Sequence, residues 1–510
     1  MCSIRSYGGV LGALVLGLIA LPASAQSFKV QCPSGTTLHP GTDSAPSPYI
    51  KCQQISGGDG YATMADGTQT YLFSFGPLSG LADIRNGLPG TEPASVFNTV
   101  GDPTTISQDG TGRWVGYNGA VGLAPDPEST PTPNLLDGHV DPRPIMDTGV
   151  MNGNMPAPMM AIDEDDEFFL TLTNVGMIMR PDLFEQHTVH FHGYPNASSF
   201  YDGVPDASVA INIGGSFTYY YLAPDAGTYF WHCHITPPEH LQMGMVGQIY
   251  VRPRQDKVAP GASLHTALLG QQADPRTRCG ADILCSSPVP QTDNGAVHAN
   301  NQSGSPTLYA YNDGDGSTAY DVEYPIQIHG FDPNFHFVGM TFNPEPFTDM
   351  KDKYFLLNGR SYPDTVTPGS LQTPSADGAS HFSQPLPTII NIPAGGKALL
   401  RISDLDVSEF QTLASLGIPM HVIAVNARLL RDLDGNNLAY DTNSITLGGG
   451  ESLDVILDAS DTTKYTSGQT FYLYTPNLDH LSNDAENFGG LMTEIHVCKS
   501  VDPTTKTCAT

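Results

Sequence analysis

Trp231-His232-Cys233-His234-Ile235-Thr236-Pro237-Pro238-Glu239-His240-Leu241-Gln242-Met243-Gly244-Met245 is the stretch on which the reading of this chain turns. In an extended segment alternate residues share a face, so Cys233 points away from His232 and His234, and one strand feeds two opposite sides. Upstream, His187-Thr188-Val189-His190-Phe191-His192-Gly193 repeats the device: His190 and His192 project together, while His187 serves a different centre. Two imidazoles and a thiolate in a trigonal arrangement, with a weak axial thioether, form the donor set of blue copper. His187, Cys233 and His240 with Met245 supply that set in order. His190, His192, His232 and His234 are then left for a second metal centre. A lone histidine at a strand end is ordinarily a surface or hydrogen-bonded residue, and a lone methionine is ordinarily core. The argument for metal rests on so many imidazoles gathering around one thiol.

The cysteine inventory agrees. Of the eight cysteines, Cys2 lies in a leader-like segment, and six others form sequence-local pairs: Cys32 with Cys52, Cys279 with Cys285, and Cys498 with Cys508. Such pairs are expected for disulfides in an oxidising compartment. Cys233 is left over, and a metal that holds it as thiolate removes the liability of a free thiol there. The leader itself consists of Arg5, an apolar run from Val10 to Leu21, and Ala23-Ser24-Ala25, a pattern read as a signal peptide cleaved after Ala25. That run is too short to span a bilayer, and no later stretch approaches the roughly 20 apolar residues a transmembrane helix needs. The expectation is a periplasmic or secreted protein without a membrane span.

Lys and Arg total 22 against 52 Asp and Glu, a formal charge of −30, which argues against nucleic acid and anionic membranes as partners. The 53 glycines and 42 prolines punctuate short apolar segments such as Glu167-Phe-Phe-Leu-Thr-Leu-Thr173 and Ser216-Phe-Thr-Tyr-Tyr-Tyr-Leu222, the signature of β-sandwiches. The chain divides into a leader (1–25), a polar N-terminal extension (26–58), a metal-binding sandwich (59–255), a linker (256–320) and a second sandwich with a C-terminal tail (321–510). A faint internal parallel joins the two sandwiches: Asn152-Gly153 with Asn358-Gly359, the strand ends Asn174 with Asp404, and Gly-Met steps with Gly490-Leu491-Met492. They read as two copies of one unit, of which only the first kept its ligands. The acidic run Asp163 to Glu167 reads as the solvated start of a strand as readily as a cation site.

From Asn174 through His187-Thr-Val-His-Phe-His-Gly193, Asp202-Gly-Val-Pro205, Gly227-Thr-Tyr-Phe-Trp-His-Cys-His234 and Gly244-Met245, the sequence resembles the multicopper oxidases. Asn358-Gly359, Pro419-Met-His-Val-Ile-Ala424 and Gly490-Leu-Met492 resemble the copper-free cupredoxin domain of that family. The resemblance implies two cupredoxin-type Greek-key β-sandwiches in an all-β protein. It makes His187, Cys233, His240 and Met245 a type 1 copper that takes electrons from a small-molecule or metal-ion reductant. His190 becomes a type 2 ligand, and His192, His232 and His234 type 3 ligands, of a centre that reduces dioxygen.

The pattern departs from the family in two places. Five residues separate His234 from His240, more than is usual, and only two His-x-His pairs are present where a trinuclear centre uses four. At the place of His-Cys-His the second sandwich reads Tyr474-Thr475-Pro476. A second copy of the chain across a two-fold axis would supply four more imidazoles. Isolated histidines of the second sandwich (His329, His336, His421, His480) would instead complete a smaller centre. The spacing also resembles copper nitrite reductases, in which His192 and His232 would hold a type 2 copper with a neighbour's His421. A blue-copper electron carrier with a vestigial second centre is the remaining alternative. For the reductant side, Glu239 beside His240 is the acidic candidate within the motif.

Overall fold

The structure, a computed structural model, describes residues 28–123, 139–181, 185–193, 198–223, 225–272, 288–301, 304–339 and 346–509. The leader and the Cys279–Cys285 pair lie outside them. Cys32–Cys52 and Cys498–Cys508 are disulfide-bonded, and Cys233 is free and buried. Among the described residues no helix is long and apolar enough to cross a membrane.

Two β-sandwiches make up the chain. In the first, one sheet has the order β6-β4-β1-β2 (Ser216–Leu222, Glu167–Gly176, Ile50–Thr63, Gln69–Pro77). The facing sheet has the order β5-β7-β8-β3 (His190–His192, Gly227–His232, Val246–Arg252, Met160–Asp163). Their inward residues, among them Phe73, Phe75, Leu170, Leu172, Tyr219 and Trp231, form one core. In the second, β14-β16-β12-β9-β10 (Met420–Val425, Ser452–Asp458, Lys397–Asp404, Val322–Phe331, Tyr354–Leu357) faces β11-β18-β17-β13-β15 (Ile390–Pro393, Met492–Cys498, Thr470–Tyr474, Gln411–Leu416, Ser444–Leu447).

The internal parallel is real at the level of topology. In each unit the first strand runs parallel to one neighbour and antiparallel to the other: β1 to β4 and β2, β9 to β12 and β10. Likewise β3 runs parallel to β8, as β11 does to β18. The two sandwiches are thus one architecture used twice.

Three sequence expectations change. Strand β1 begins at Ile50, inside the stretch read as an extension, because buried Gln53, Gln54 and Ser56 break the apolar pattern while still lying in the sheet. The short strand Phe28–Lys29 also pairs with His139–Val140, next to the first unit. The acidic run is not solvated: Glu164, Asp166 and Glu167 are buried. Arg254 binds Glu164 and Asp165, and Asn312 donates to Glu164, so this turn ties the first unit to the following segment.

The units are packed tightly against each other. A Cβ on Gly227 would stand 2.6 Å from Cβ of Ala427, so only glycine permits this approach. Thr228 donates to Asp454 (2.5 Å), and Gln248 donates to the Arg401 carbonyl (2.9 Å) and to Ser403 (3.0 Å).

Candidate metal centres

His187, Cys233 and His240 come together in the first core, each fully buried, with one potential donor atom from each lying within 4.8 Å of the others. His187 precedes the edge strand β5, Cys233 follows β7, and His240 sits on a short helix, α1 (Pro237–Gln242). Pro237 and Pro238 occupy its first positions, where a missing N–H costs nothing. Thr236 opens the helix at φ 38°, a left-handed conformation unfavourable for a β-branched residue. The Cys233 N–H donates to the Met245 carbonyl (3.1 Å) and the Met245 N–H to the His240 carbonyl (2.9 Å), which fixes Met245 beside both.

These residues fit a copper ion. His240 Nδ1 lies 3.2 Å from Cys233 Sγ, and neither ring nitrogen of His187 has a hydrogen-bond partner. A buried polar atom left unmatched costs about 1–3 kcal/mol, which coordination would offset. Space is reserved for the ring: a Cβ on Gly57 would stand 2.7 Å from His187 Cδ2. Burial alone would raise the Cys233 thiol, but His240 and His187 overturn this and hold it well below its ordinary value, as a thiolate ligand requires. Burial likewise opposes charge on His240, yet the thiolate and Glu185 raise it to about 9.

Glu185 was missed by the sequence reading. Its carboxylate lies 3.6 Å from His240 Nε2, the nitrogen facing away from Cys233, and remains partly exposed. The signal was available: Glu185 and His187 are alternate residues of an extended segment and share a face. Glu239 also borders His240, and burial raises its pKa.

On the opposite side of Cys233 the other four imidazoles gather. His190 lies 5.8 Å from His192, 5.2 Å from His232 and 5.1 Å from His234, measured between ring centroids. His190, His192 and His232 can each offer a donor atom within 4.8 Å of the others. Two rings are locked from behind. His190 Nδ1 is 2.7 Å from the Asp202 carbonyl and His232 Nδ1 is 2.8 Å from the Cys233 carbonyl, so in each the Nδ1–H donates and Nε2 keeps its lone pair. Burial, followed by the neighbouring imidazoles, lowers His232 to about 3 and keeps it a neutral donor. His192, stacked on Phe230 at 4.4 Å, is exposed.

The histidines of the second sandwich do not join this cluster. His329 Nε2 lies 2.8 Å from the Leu241 carbonyl, and His336 Nε2 lies 2.9 Å from the Gln242 carbonyl, with its Nδ1 2.6 Å from that of Tyr71. Gln242 in turn donates to Asp352 (3.0 Å) and accepts from the Asp332 N–H (3.0 Å). These groups hold α1 and the ligand segment down from the second unit. His480 is bound by Gln411 and Glu409, and exposed Asp441 holds His421. Among the described residues, neither group of potential metal ligands includes any of them.

One of two like β-sandwiches thus gathers a thiol and two imidazoles of the kind that hold copper. A sequence model described as multicopper oxidase matches residues 138–256. Laccase abr2 of Aspergillus fumigatus is 32% identical over 112 residues, 22% of this chain and 18% of that protein. Multicopper oxidase MmcO of Mycobacterium tuberculosis is 33% identical over 92 residues, 18% of this chain and 17% of that one. The chain therefore spans less than a fifth of the length of either relative. A blue copper oxidase from Nitrosomonas europaea aligns over 88% of this chain and 85% of its own, at TM-score 0.48 and 16% identity. A copper nitrite reductase from the same organism aligns over 89% and 97%, at TM-score 0.44 and 13% identity.

Proposed function

We propose that this chain is an exported copper oxidoreductase. It takes electrons from a reductant at a type 1 copper held by His187, Cys233, His240 and Met245, and passes them to a second copper centre at His190, His192, His232 and His234, where dioxygen is reduced. Copper in the two centres would supply one-electron transfer between them. The observation that carries the reading is the position of Cys233: its sulfur belongs to one cluster, and its two sequence neighbours are imidazoles of the other. An electron leaving the sulfur reaches the second cluster through a few covalent bonds.

His240 bridges inside and outside, with Nδ1 toward Cys233 and Nε2 toward Glu185. A partly exposed carboxylate there favours a reductant that is cationic or donates a hydrogen bond, so a low-valent metal ion or a phenol is the proposed class. Asp202 and the Cys233 carbonyl orient His190 and His232 and so shape the acceptor side. Export through the leader ending at Ala25 is part of the proposal, and the Cys32–Cys52 and Cys498–Cys508 disulfides support an oxidising compartment.

The convergence of three imidazoles, His190, His192 and His232, favours a second reading, a mononuclear type 2 copper with nitrite as acceptor. Copper content, native mass, absorption and paramagnetic resonance of the loaded protein decide between the readings. Oxygen uptake with a coupled-pair near-ultraviolet band supports the first, and about two and a half coppers per chain in a dimer would place the centre across a two-fold axis. About two coppers per chain without that band, with nitrite consumed, supports the second. About one copper per chain overturns both and leaves an electron carrier.

A further inference from the structure

We infer that the second sandwich carries a relict type 1 metal site, with Gln411, Thr475, His480 and Leu491 at the ligand positions occupied by His187, Cys233, His240 and Met245 in the first. The inference rests on the blue-copper reading of the first unit. The correspondence comes from the backbone. Across β5 and β7, His190 is paired with His232; across β13 and β17, Ala414 is paired with Tyr474. One residue beyond, the Cys233 N–H donates to the Met245 carbonyl (3.1 Å), and the Thr475 N–H donates to the Leu491 carbonyl (2.9 Å). The Met245 N–H donates to the His240 carbonyl (2.9 Å), and the Leu491 N–H donates to the His480 carbonyl (3.0 Å). Counting back equally from His190 and Ala414 pairs His187 with Gln411.

The surroundings match as well. Glu185 lies 3.6 Å from His240 Nε2, and Glu409, at the equivalent position, lies 3.0 Å from His480 Nε2. Phe73 of β2 packs against His240 at 5.1 Å, and Phe355 of β10 stacks on His480 at 3.9 Å. His480 Nδ1, the counterpart of the nitrogen facing Cys233, is 2.9 Å from Gln411 Oε1. The carboxamide has taken over the partner role that a ligand set would play. Gly57, which leaves room for the His187 ring, corresponds by strand register to Ile328, which is fully buried. Filling that space removes the room for a first imidazole. His480, buried and still backed by its carboxylate, is what persists.

Gln to His, Thr to Cys and Leu to Met conserve volume closely enough for a core to accept them. The test uses the full chain in a Cys233→Ser background, whose first site is colourless, loaded with cupric ion. Adding Gln411→His, Thr475→Cys and Leu491→Met, with Ile328→Ala to open the space, is expected to restore an intense blue band and about one copper per chain over the background. If that variant does not fold, Gln411→His and Thr475→Cys with Ile328→Ala, keeping Leu491 as a non-ligating axial residue, is expected to give a weaker-binding blue site. Folded variants that take up no further copper and stay colourless, while the unaltered protein is blue, overturn this inference alone. An unaltered protein without the blue band overturns both it and the reading of the first site.

Discussion

The two sandwiches share strand order, parallel pairings and the hydrogen bonds that close the segment after β7 and β17, yet both groups of potential metal ligands lie in the first. What differs is a handful of side chains: imidazole against carboxamide, thiol against hydroxyl, thioether against Leu, and Gly57 against Ile328. The fold supplies the spacing that a trigonal site needs, and side-chain identity decides whether a metal is held. In exchange, the second unit has become a brace. His329, His336 and Asp352 project from it onto the segment between His240 and Met245, where they hold the backbone and side chain of that segment.

The comparison breaks most completely at the thiol. Cys233→Ser should abolish the blue absorption entirely, whereas Thr475→Val, at the equivalent buried position, should leave it unchanged; loss in both would mean the units are not independent in this respect. Next in size is the junction between them. Arg401 and Arg252 bracket the buried Glu323 at 2.9 and 3.3 Å, overriding the effect of burial and holding its pKa at about 2. A depressed carboxylate stabilises the fold above its unfolded value and loses that contribution as pH falls, so stability should decline between about pH 4.5 and 2 by on the order of 3 kcal/mol. Glu323→Gln should be less stable at neutral pH and flatter across that window, as followed by denaturant unfolding at a series of pH values.

The brace is subtler. His336→Leu should cost about 1–3 kcal/mol by stranding the Gln242 or Tyr71 carbonyl. It should also alter the copper hyperfine splitting in paramagnetic resonance, a change that removal of half-buried His421 should not produce. The smallest effect is expected at the rim. Glu185→Gln should lower kcat/KM for a cationic reductant by roughly five- to tenfold, equivalent to about 1 kcal/mol, and leave a neutral one less affected. Glu409→Gln, its counterpart, should leave both rates unchanged.

Much of this site was legible because metal ligands are chemically distinctive and strand alternation sorts them to two sides. His187, Cys233 and His240 converge from the order of the motif alone. Elements fixed by distant partners were not legible. The burial of Glu164 depends on Arg254 and Asn312, and no local pattern announces either. Strand β1 hides behind polar residues whose partners, such as Ser79 for the Gln54 N–H and Thr91 for Gln53, come from elsewhere. The relict site was invisible for the opposite reason: Gln411, Thr475 and Leu491 are unremarkable residues, and only pairing register gives them their positions.

The pinning of α1 beneath the second sandwich also bears on how the protein matures. His187, Cys233 and His240 are wholly buried, and the segment carrying His240 is clamped by groups that arrive later in the chain. If the site takes copper as proposed, the ion would have to enter before that segment is pinned or when α1 moves.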